Sequence, residues 1–252
     1  NTLDFARCVG ENIYTDLENR DYTINAIACQ LELHKCEIID PFGGLQDIEK
    51  RQIRTISETN IINDPLRIMR AFRLSAQFNF LITPSTLKFI EHNKNLLNNV
   101  SAERINTELI KLFESESSAL NLLFMQETGV LFEIFPELKS QTQVPPNPHH
   151  HLPLIDHSIE AVNQSEKEIK KLPEWAQEHL NRDFSTGTKY ISLFKLAALL
   201  HDLGKPATWQ IDEEGRHRFI KHEEVGAEMA INILKRLKFS NNAIKYICSL
   251  IK

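Results

Sequence analysis

NDPLRIMRAFR, residues 63–73, is the stretch whose reading decides the fold. Asp64 followed by Pro65 is a helix start, with Asp64 expected at the N-cap and Pro65 at the first helical position. Arg67, Arg70 and Arg73 then recur at every third residue, which places them with Asp64 on a slowly drifting polar stripe. Leu66, Met69, Phe72, Leu74 and Ala76 cover the opposite side and predict burial there.

Two readings of the stripe stand side by side. One is a solvated helix laced by salt bridges. In the other, Arg67 and Asp64 offer a fork of donors beside an acceptor, which matches a nucleobase edge, while Arg70 and Arg73 suit phosphates or acidic partners.

The surrounding chain is ordinary globular material: 252 residues, 42% hydrophobic and 25% charged, enough for a sizeable core and for two or three small domains. No apolar run approaches the ~20 residues of a membrane span. The N-terminal stretch has no secretory pattern, and the expected location is cytoplasmic. It also lacks an initiator Met, from which we expect residues upstream. Cys8, Cys29, Cys36 and Cys248 show no CxxC and read as reduced thiols. A net charge of −5 argues against nucleic-acid binding by bulk attraction but leaves room for a local basic groove.

Before the arginine helix, strand-like pieces alternate with turns. Asp21 is expected to cap a short helix over YTINAIA, IACQLEL and CEIID read as a hairpin, and DPFGG (40–44) is a turn. After it the pattern is helical, with starts at Thr83-Pro84 and Ser101 and a break at Gly129. Residues 141–153, with four prolines, read as a linker. The run Glu166 to Lys171 reads as a solvated helix face. The chain divides into 1–61, a helical 62–140, the linker 141–153 and a helical 154–252. Its class is α+β, mostly helical.

ENRDYTINAIA, IIDPFGGLQDI, NDPLRIMRAFR and SAERINTELIKLF, in that order, closely resemble the class II tRNA nucleotidyltransferase and bacterial poly(A) polymerase family. The resemblance runs over essentially the whole chain. It implies the C-terminal part of a nucleotidyltransferase palm, a helical neck, and an all-α HD domain. It also implies that Arg20, Asp21 and Asn25 contact the ribose and triphosphate, with Asn19 where a second arginine is usual. Asp64 and Arg67 would read the base of ATP or CTP, with Asn63 where a glutamate is usual. Arg70 and Arg73 would hold phosphates and helix in register, and Arg104 and Glu108 would buttress the base-reading helix. The implied partners are the 3′ end of tRNA, ATP and CTP, with no membrane; the oligomeric state stays open. An Arg–Asp pair suits the task, because a buried polar pair left unmatched penalises the wrong base.

The family's chemistry runs on two Mg²⁺ ions held by an Asp-x-Asp pair. No such pair occurs here; its expected position lies upstream of Asn1. Asp4 is the remaining palm candidate for a metal contact. This stretch by itself is expected to bind nucleotide weakly and not to catalyse transfer.

His157 in LIDHSIEAV, His201-Asp202 in LLHDLGK, and His222 in FIKHEEVGAEMA form a second constellation, similar to the HD phosphohydrolase superfamily. Imidazoles and a carboxylate suit a divalent ion such as Mn, Ni or Mg. Lys205 is read as either a phosphate contact or a solvated lysine, and His149 to His151 as a flexible loop. The readings are then CCA addition and repair on tRNA, addition of A only or of a poly(A) tail, a metal-dependent phosphohydrolase, or a non-catalytic tRNA-binding protein.

Overall fold

The structure is a computed structural model that describes residue 8 and residues 10–32, 35–144 and 152–252. Asp4 and His149 to His151 lie outside the described residues, as does most of the Pro-rich segment.

The front of the chain is mixed. Helix α1 (Ile13–Glu18) leads into a 3-10 turn over Thr23–Asn25, then the hairpin β1 (Ala28–Glu32) and β2 (Lys35–Ile39). The strands are antiparallel, with Cys29 opposite Ile38, so the expected hairpin forms. The expected helix over YTINAIA does not. Asp21 turns its carboxylate onto the Tyr22 amide (2.8 Å) and the Asn25 side chain (3.0 Å), closing a single tight turn before the strand takes over. Cys29 is disulfide-bonded, unlike the expected reduced thiol, whereas Cys8 and Cys248 are free. Spacing in sequence does not report which thiols a fold brings together.

The DPFGG turn feeds α2 (Gly44–Glu49). Asp40 accepts from the amides of Gly44 (2.7 Å) and Leu45 (2.9 Å). A Cβ on Gly44 would sit 2.2 Å from the Thr23 carbonyl, so only glycine lets α2 press against the 3-10 turn. β3 (Gln52–Ile53) then pairs in parallel with β4 (Leu81–Ile82), across α3 (Glu58–Asn63) and α4 (Leu66–Phe78).

α4 is the arginine helix. It starts at Leu66, and Asp64 ends α3 in extended backbone instead of capping α4. Its buried face, including Ile68, Met69 and Phe72, packs on α6 (Ala102–Glu114) through Leu109, Leu112 and Phe113. α5 (Pro84–Asn93) begins where Thr83-Pro84 predicts, and Gly129 divides α7 (Ser118–Glu127) from α8 (Val130–Ile134).

The second half is α9 (Leu154–Ile169), α10 (Glu174–Asn181), α11 (Tyr190–Leu200), α12 (Lys205–Thr208), α13 (His222–Arg236) and α14 (Asn241–Ile251). Two small antiparallel pairs interrupt it, β5 (Asp183–Ser185) with β6 (Thr188–Lys189) and β7 (Trp209–Ile211) with β8 (His217–Phe219). One contiguous core runs from Tyr22 to Ile251. α11 packs on both α6 and α9, so the two halves share that core.

A buried ion pair ties the halves together. Lys195 on α11 is 1% exposed, and its Nζ meets Glu166 Oε1 on α9 at 3.0 Å and the Ser115 carbonyl at 2.5 Å. Glu166 Oε1 also accepts from the Ser118 amide at 2.8 Å. Glu166 therefore does not belong to the solvated face its sequence suggests; a cation 29 residues away draws it inward. Burial pushes the Lys195 pKa down against the pull of Glu166. Removing one partner of such a pair strands a buried charge. Lys195→Met should cost about 3–5 kcal/mol in urea unfolding, and Lys195→Met with Glu166→Leu should recover most of it.

Candidate nucleotide-binding cleft and metal centre

The arginines of α4 are three residues apart, so each is turned by about 60° from the last. They therefore meet three different elements. Arg67 Nη2 donates to the Asn19 carbonyl at 2.6 Å, and its Nη1 to the carbonyls of Arg20 and Asn60, both at 3.2 Å. Arg70 donates from Nε to Asp21 Oδ2 at 2.7 Å. Arg73 donates from Nε to Glu108 Oε2 on α6 at 2.7 Å and from Nη1 to Gln77 Oε1 at 2.9 Å. Asp64 does not pair with Arg67; Arg104 Nη2 spans both its carboxylate oxygens at 3.0 and 3.1 Å. Arg20 pairs with Asp16 at 2.6 Å.

Arg20, Asp21, Asn25, Asp64, Arg67, Arg70 and Arg73, seven residues named from the sequence, line one cleft of about 530 Å³ with Arg104, Leu66, Leu74 and Phe78. Local backbone anchors hold the pieces. Asn60 Nδ2 donates to the carbonyls of Glu18 and Arg20, both at 2.7 Å, which pins the Asn19–Arg20–Asp21 loop to α3. The buried Tyr22 donates its hydroxyl proton to the Arg67 carbonyl at 2.6 Å, joining that loop to α4. Burial pushes the Tyr22 hydroxyl well above its usual pKa, so it stays protonated and remains a donor.

The pairs differ in exposure. Asp21 and Glu108 side chains are 6% exposed, whereas Asp64 is 33% and Arg104 52% exposed. An exposed pair is weakly held. Asp64 is thus the carboxylate in the cleft that a ligand can capture most readily, and Asp21 and Glu108 are fixed. Sequence reasoning named Arg104 only as a buttress. Its place across from Asp64, 40 residues away, carries no local signal.

In the second half, three helices and a turn converge on Asp202, which is 1% exposed. His201 Nε2 lies 3.2 Å and His157 Nε2 3.3 Å from its Oδ2, with Lys205 Nζ at 2.7 Å; His222 Nε2 lies 3.5 Å from Oδ1. His157, His201 and Asp202 bring one ligand atom each within 4.8 Å of one another. His201 Nδ1 is 2.8 Å from the Ala198 carbonyl and His222 Nδ1 2.8 Å from that of Phe219. With those nitrogens donating, each Nε2 turns a lone pair toward the carboxylate unless a proton or a cation intervenes. Burial opposes charge on His201, but Asp202 outweighs it and its pKa rises. Burial likewise opposes ionisation of Asp202, and the His157, His201 and Lys205 groups overcome it and hold its carboxyl well below the usual range. The buried Oδ2 makes no aligned hydrogen bond despite these ion-pair approaches. That donor set fits a divalent ion. Gly204 makes the approach of α13 possible, since a Cβ there would sit 2.0 Å from the His222 carbonyl.

The palm metals fare differently. Asp21 and Asp64 in the cleft are each bound by an arginine, and no close pair of free carboxylates lines it among the described residues. These residues do not form a Mg²⁺ site.

Comparison with known proteins follows the same layout. Residues 4–54 match the poly A polymerase head domain, 79–142 the probable RNA and SrmB-binding site of polymerase A, and 154–252 the HD domain. The A-adding tRNA nucleotidyltransferase of Deinococcus radiodurans is 33% identical over 247 residues, 96% of this chain and 52% of that protein. The CC-adding tRNA nucleotidyltransferase of Thermus thermophilus is 31% identical over 260 residues, 100% of this chain and 54% of that protein. The chain thus spans about half the length of these relatives. A solved tRNA-processing enzyme complex superposes with a TM-score of 0.63 at 21% identity, over 95% of this chain and 54% of that one, which shows the shared fold.

The Asp21–Arg70 pair sets a pH dependence. Burial raises the Asp21 pKa, but Arg70, Asn25 and the Tyr22 amide together bring it below 3.8. A depressed folded pKa gives stability that is present above the unfolded value and lost as pH falls through the folded one. Arg70→Gln should therefore be destabilised relative to the parent at neutral pH, with the gap narrowing below about pH 4 in a series of urea titrations.

Proposed function

Because the chain belongs to the family that joins a poly(A) polymerase head, an RNA-binding neck and an HD domain, we propose that the whole protein is a template-independent RNA nucleotidyltransferase. It would transfer CMP and AMP from CTP and ATP to the 3′ end of tRNA. The observation that carries this reading is the cleft, where seven separately predicted residues meet around the exposed Asp64–Arg104 pair.

Adenine and cytosine both present an exocyclic amino donor beside a ring-nitrogen acceptor; guanine and uracil present a carbonyl in the amino group's place. Asp64 is an acceptor for the amino group once Arg104 yields. Arg67 is a donor for the ring nitrogen, its guanidinium held in place by three carbonyls. A wrong base leaves both groups facing like partners, a mismatch of several kcal/mol in a closed site. Arg20 is half exposed at the cleft rim and is the group best placed for phosphate. Asp21, Asn25, Arg70 and Arg73 act mainly by fixing loop and helix, since each is engaged within the protein. The relatives include A-adding and CC-adding enzymes at similar identity, and CCA addition is the broader activity containing both. No helix among the described residues is long and apolar enough to cross a membrane.

A second reading concerns the HD half. His157, His201, Asp202 and His222 would hold a divalent ion such as Mn, Ni or Mg, which would act as a Lewis acid on a phosphate ester. Lys205 is 6% exposed and ion-paired with Asp202 at 2.7 Å, so it steadies that carboxylate and is not a solvated lysine.

The test uses the full-length protein with Mg²⁺ and tRNAs ending before CCA, after C, and after CC, each given CTP, ATP or both. C addition followed by one A is expected. Asp64→Ala and Arg67→Ala should lower kcat/KM for the cognate nucleotides by about 100-fold and relax exclusion of GTP and UTP. Asp202→Asn should leave addition intact but remove one Mn²⁺ site from those the parent shows in calorimetry. Phosphate release without incorporation would shift the function to the HD half.

A further inference from the structure

The Arg67 guanidinium is held by the carbonyls of Asn19, Arg20 and Asn60. Asn60 on α3 supplies one of these, and its side chain fixes the loop that supplies the other two. It is 6% exposed and does not line the cleft. Resting on the function proposed above, we infer that Asn60 is a specificity-determining positioning residue, which aims Arg67 at the base without touching substrate.

The clasp begins at a helix end. The last carbonyls of a helix have no partner inside it, and α1 ends at Glu18. Asn60 Nδ2 commits both its protons there, to the Glu18 and Arg20 carbonyls, each at 2.7 Å. Arg67 interleaves with it. Its Nη2 donates to the Asn19 carbonyl between them at 2.6 Å, and its Nη1 shares the Arg20 carbonyl at 3.2 Å. One amide and one guanidinium thus meet a row of three consecutive carbonyls. Without the amide, the peptide units of this loop can rotate, and the guanidinium turns with them.

The Asn60 backbone adds a second tie. Its carbonyl accepts from Arg67 Nη1 at 3.2 Å and from the Asp64 amide at 3.3 Å, so one oxygen joins both groups proposed to read the base. The support beneath is firm. Ile61 is fully buried, Ser57 Oγ caps α3 by accepting from the Asn60 amide at 3.2 Å, and Asn93 on α5 donates to Glu58 at 2.7 Å.

A guanidinium carries its N–H donors in a rigid planar fork. With three of its bonds committed to carbonyls, the direction of those bonds sets the direction of the donors that remain. A polar pair tells one base from another only while its donors stay where the right edge meets them. Angular freedom at Arg67 therefore relaxes selectivity first.

The test uses the full-length protein with Mg²⁺. It measures equilibrium binding of CTP, UTP, ATP and GTP, kcat/KM for their addition to tRNAs ending before CCA and after CC, and urea unfolding. Asn60→Ala and Asn60→Asp should each lower the preference for CTP over UTP and for ATP over GTP about tenfold. Asn60→Asp keeps the shape but sets an acceptor against two carbonyls. Burial raises the pKa of such a carboxyl, and its protonated form regains one donor. Its preference relative to the parent should therefore recover in part as pH falls from about 8 to about 6. Ser57→Ala removes only the cap of α3 and should lower the unfolding midpoint with the preference unchanged. Parent-like preference in both Asn60 variants, or an equal loss in Ser57→Ala, overturns the assignment. If the parent binds CTP over UTP but incorporates nothing, and the Asn60 variants lose that preference, the clasp stands and the reaction falls. If the parent incorporates selectively and the Asn60 variants match it, the reaction stands and the clasp falls.

Discussion

Glu108 on α6 is buried, and a buried carboxylate is stable only when a cation meets it closely. Arg73 does so at 2.7 Å with 12% of its own side chain exposed. That pair fixes two helices that wall the cleft. Because α4 carries its arginines three residues apart, fixing one sets the others. With Arg73 on α6, Arg70 is rotated toward Asp21 and Arg67 toward the carbonyls of the loop before it. The front of the cleft is therefore assembled from the helix outward. A 13-residue helix with one buried face thus positions the loop that carries Asn19 to Asp21.

This arrangement explains why so many of the cleft's charged groups are already partnered. A cationic cleft with free guanidinium groups would attract phosphate anywhere along it and specify no pose. Here Asp21 engages Arg70 and Glu108 engages Arg73, and the groups that remain exposed or weakly held are Arg20, Asp64 and Arg104. Asp64 facing Arg104 in the free protein is a modest barrier, since an exposed pair is worth about 0–1 kcal/mol.

Local features were legible in the sequence. Asp-Pro at 64–65, Thr-Pro at 83–84 and glycine at 129 punctuate helices through backbone chemistry that does not depend on the rest of the chain. The hairpin followed from two apolar runs about a short polar gap. What was not legible depends on distant partners. The YTINAIA segment has an Asp before it as a helix would, but the Asp21 carboxylate is claimed by its own turn and by Arg70, 49 residues on. Glu166 sits in a charged run that reads as solvated, and Lys195 takes it inside. The pairing of Asp64 with Arg104 belongs to the same class. Motifs nominated the residues of the cleft; the hydrogen bonds show which of them are engaged within the protein and which stay exposed.

The HD half shows the same division of labour at a shorter range. His201 and Asp202 are adjacent, so one helix end places both, and Gly204 lets α13 approach until His222 reaches the same carboxylate. The imidazoles of His201 and His222 are each fixed by a carbonyl three residues back, so local backbone orients those two rings. The neck draws on α9 and α11 for a different purpose. Those helices also supply Glu166 and Lys195, which hold the turn between α6 and α7. The same two helices thus present His157 and His201-Asp202 at one end and brace the neck at another point. Loss of the metal ligands need not disturb the brace, because no atom is shared between the two networks. A half of the molecule built this way can brace the neck whatever its histidines hold.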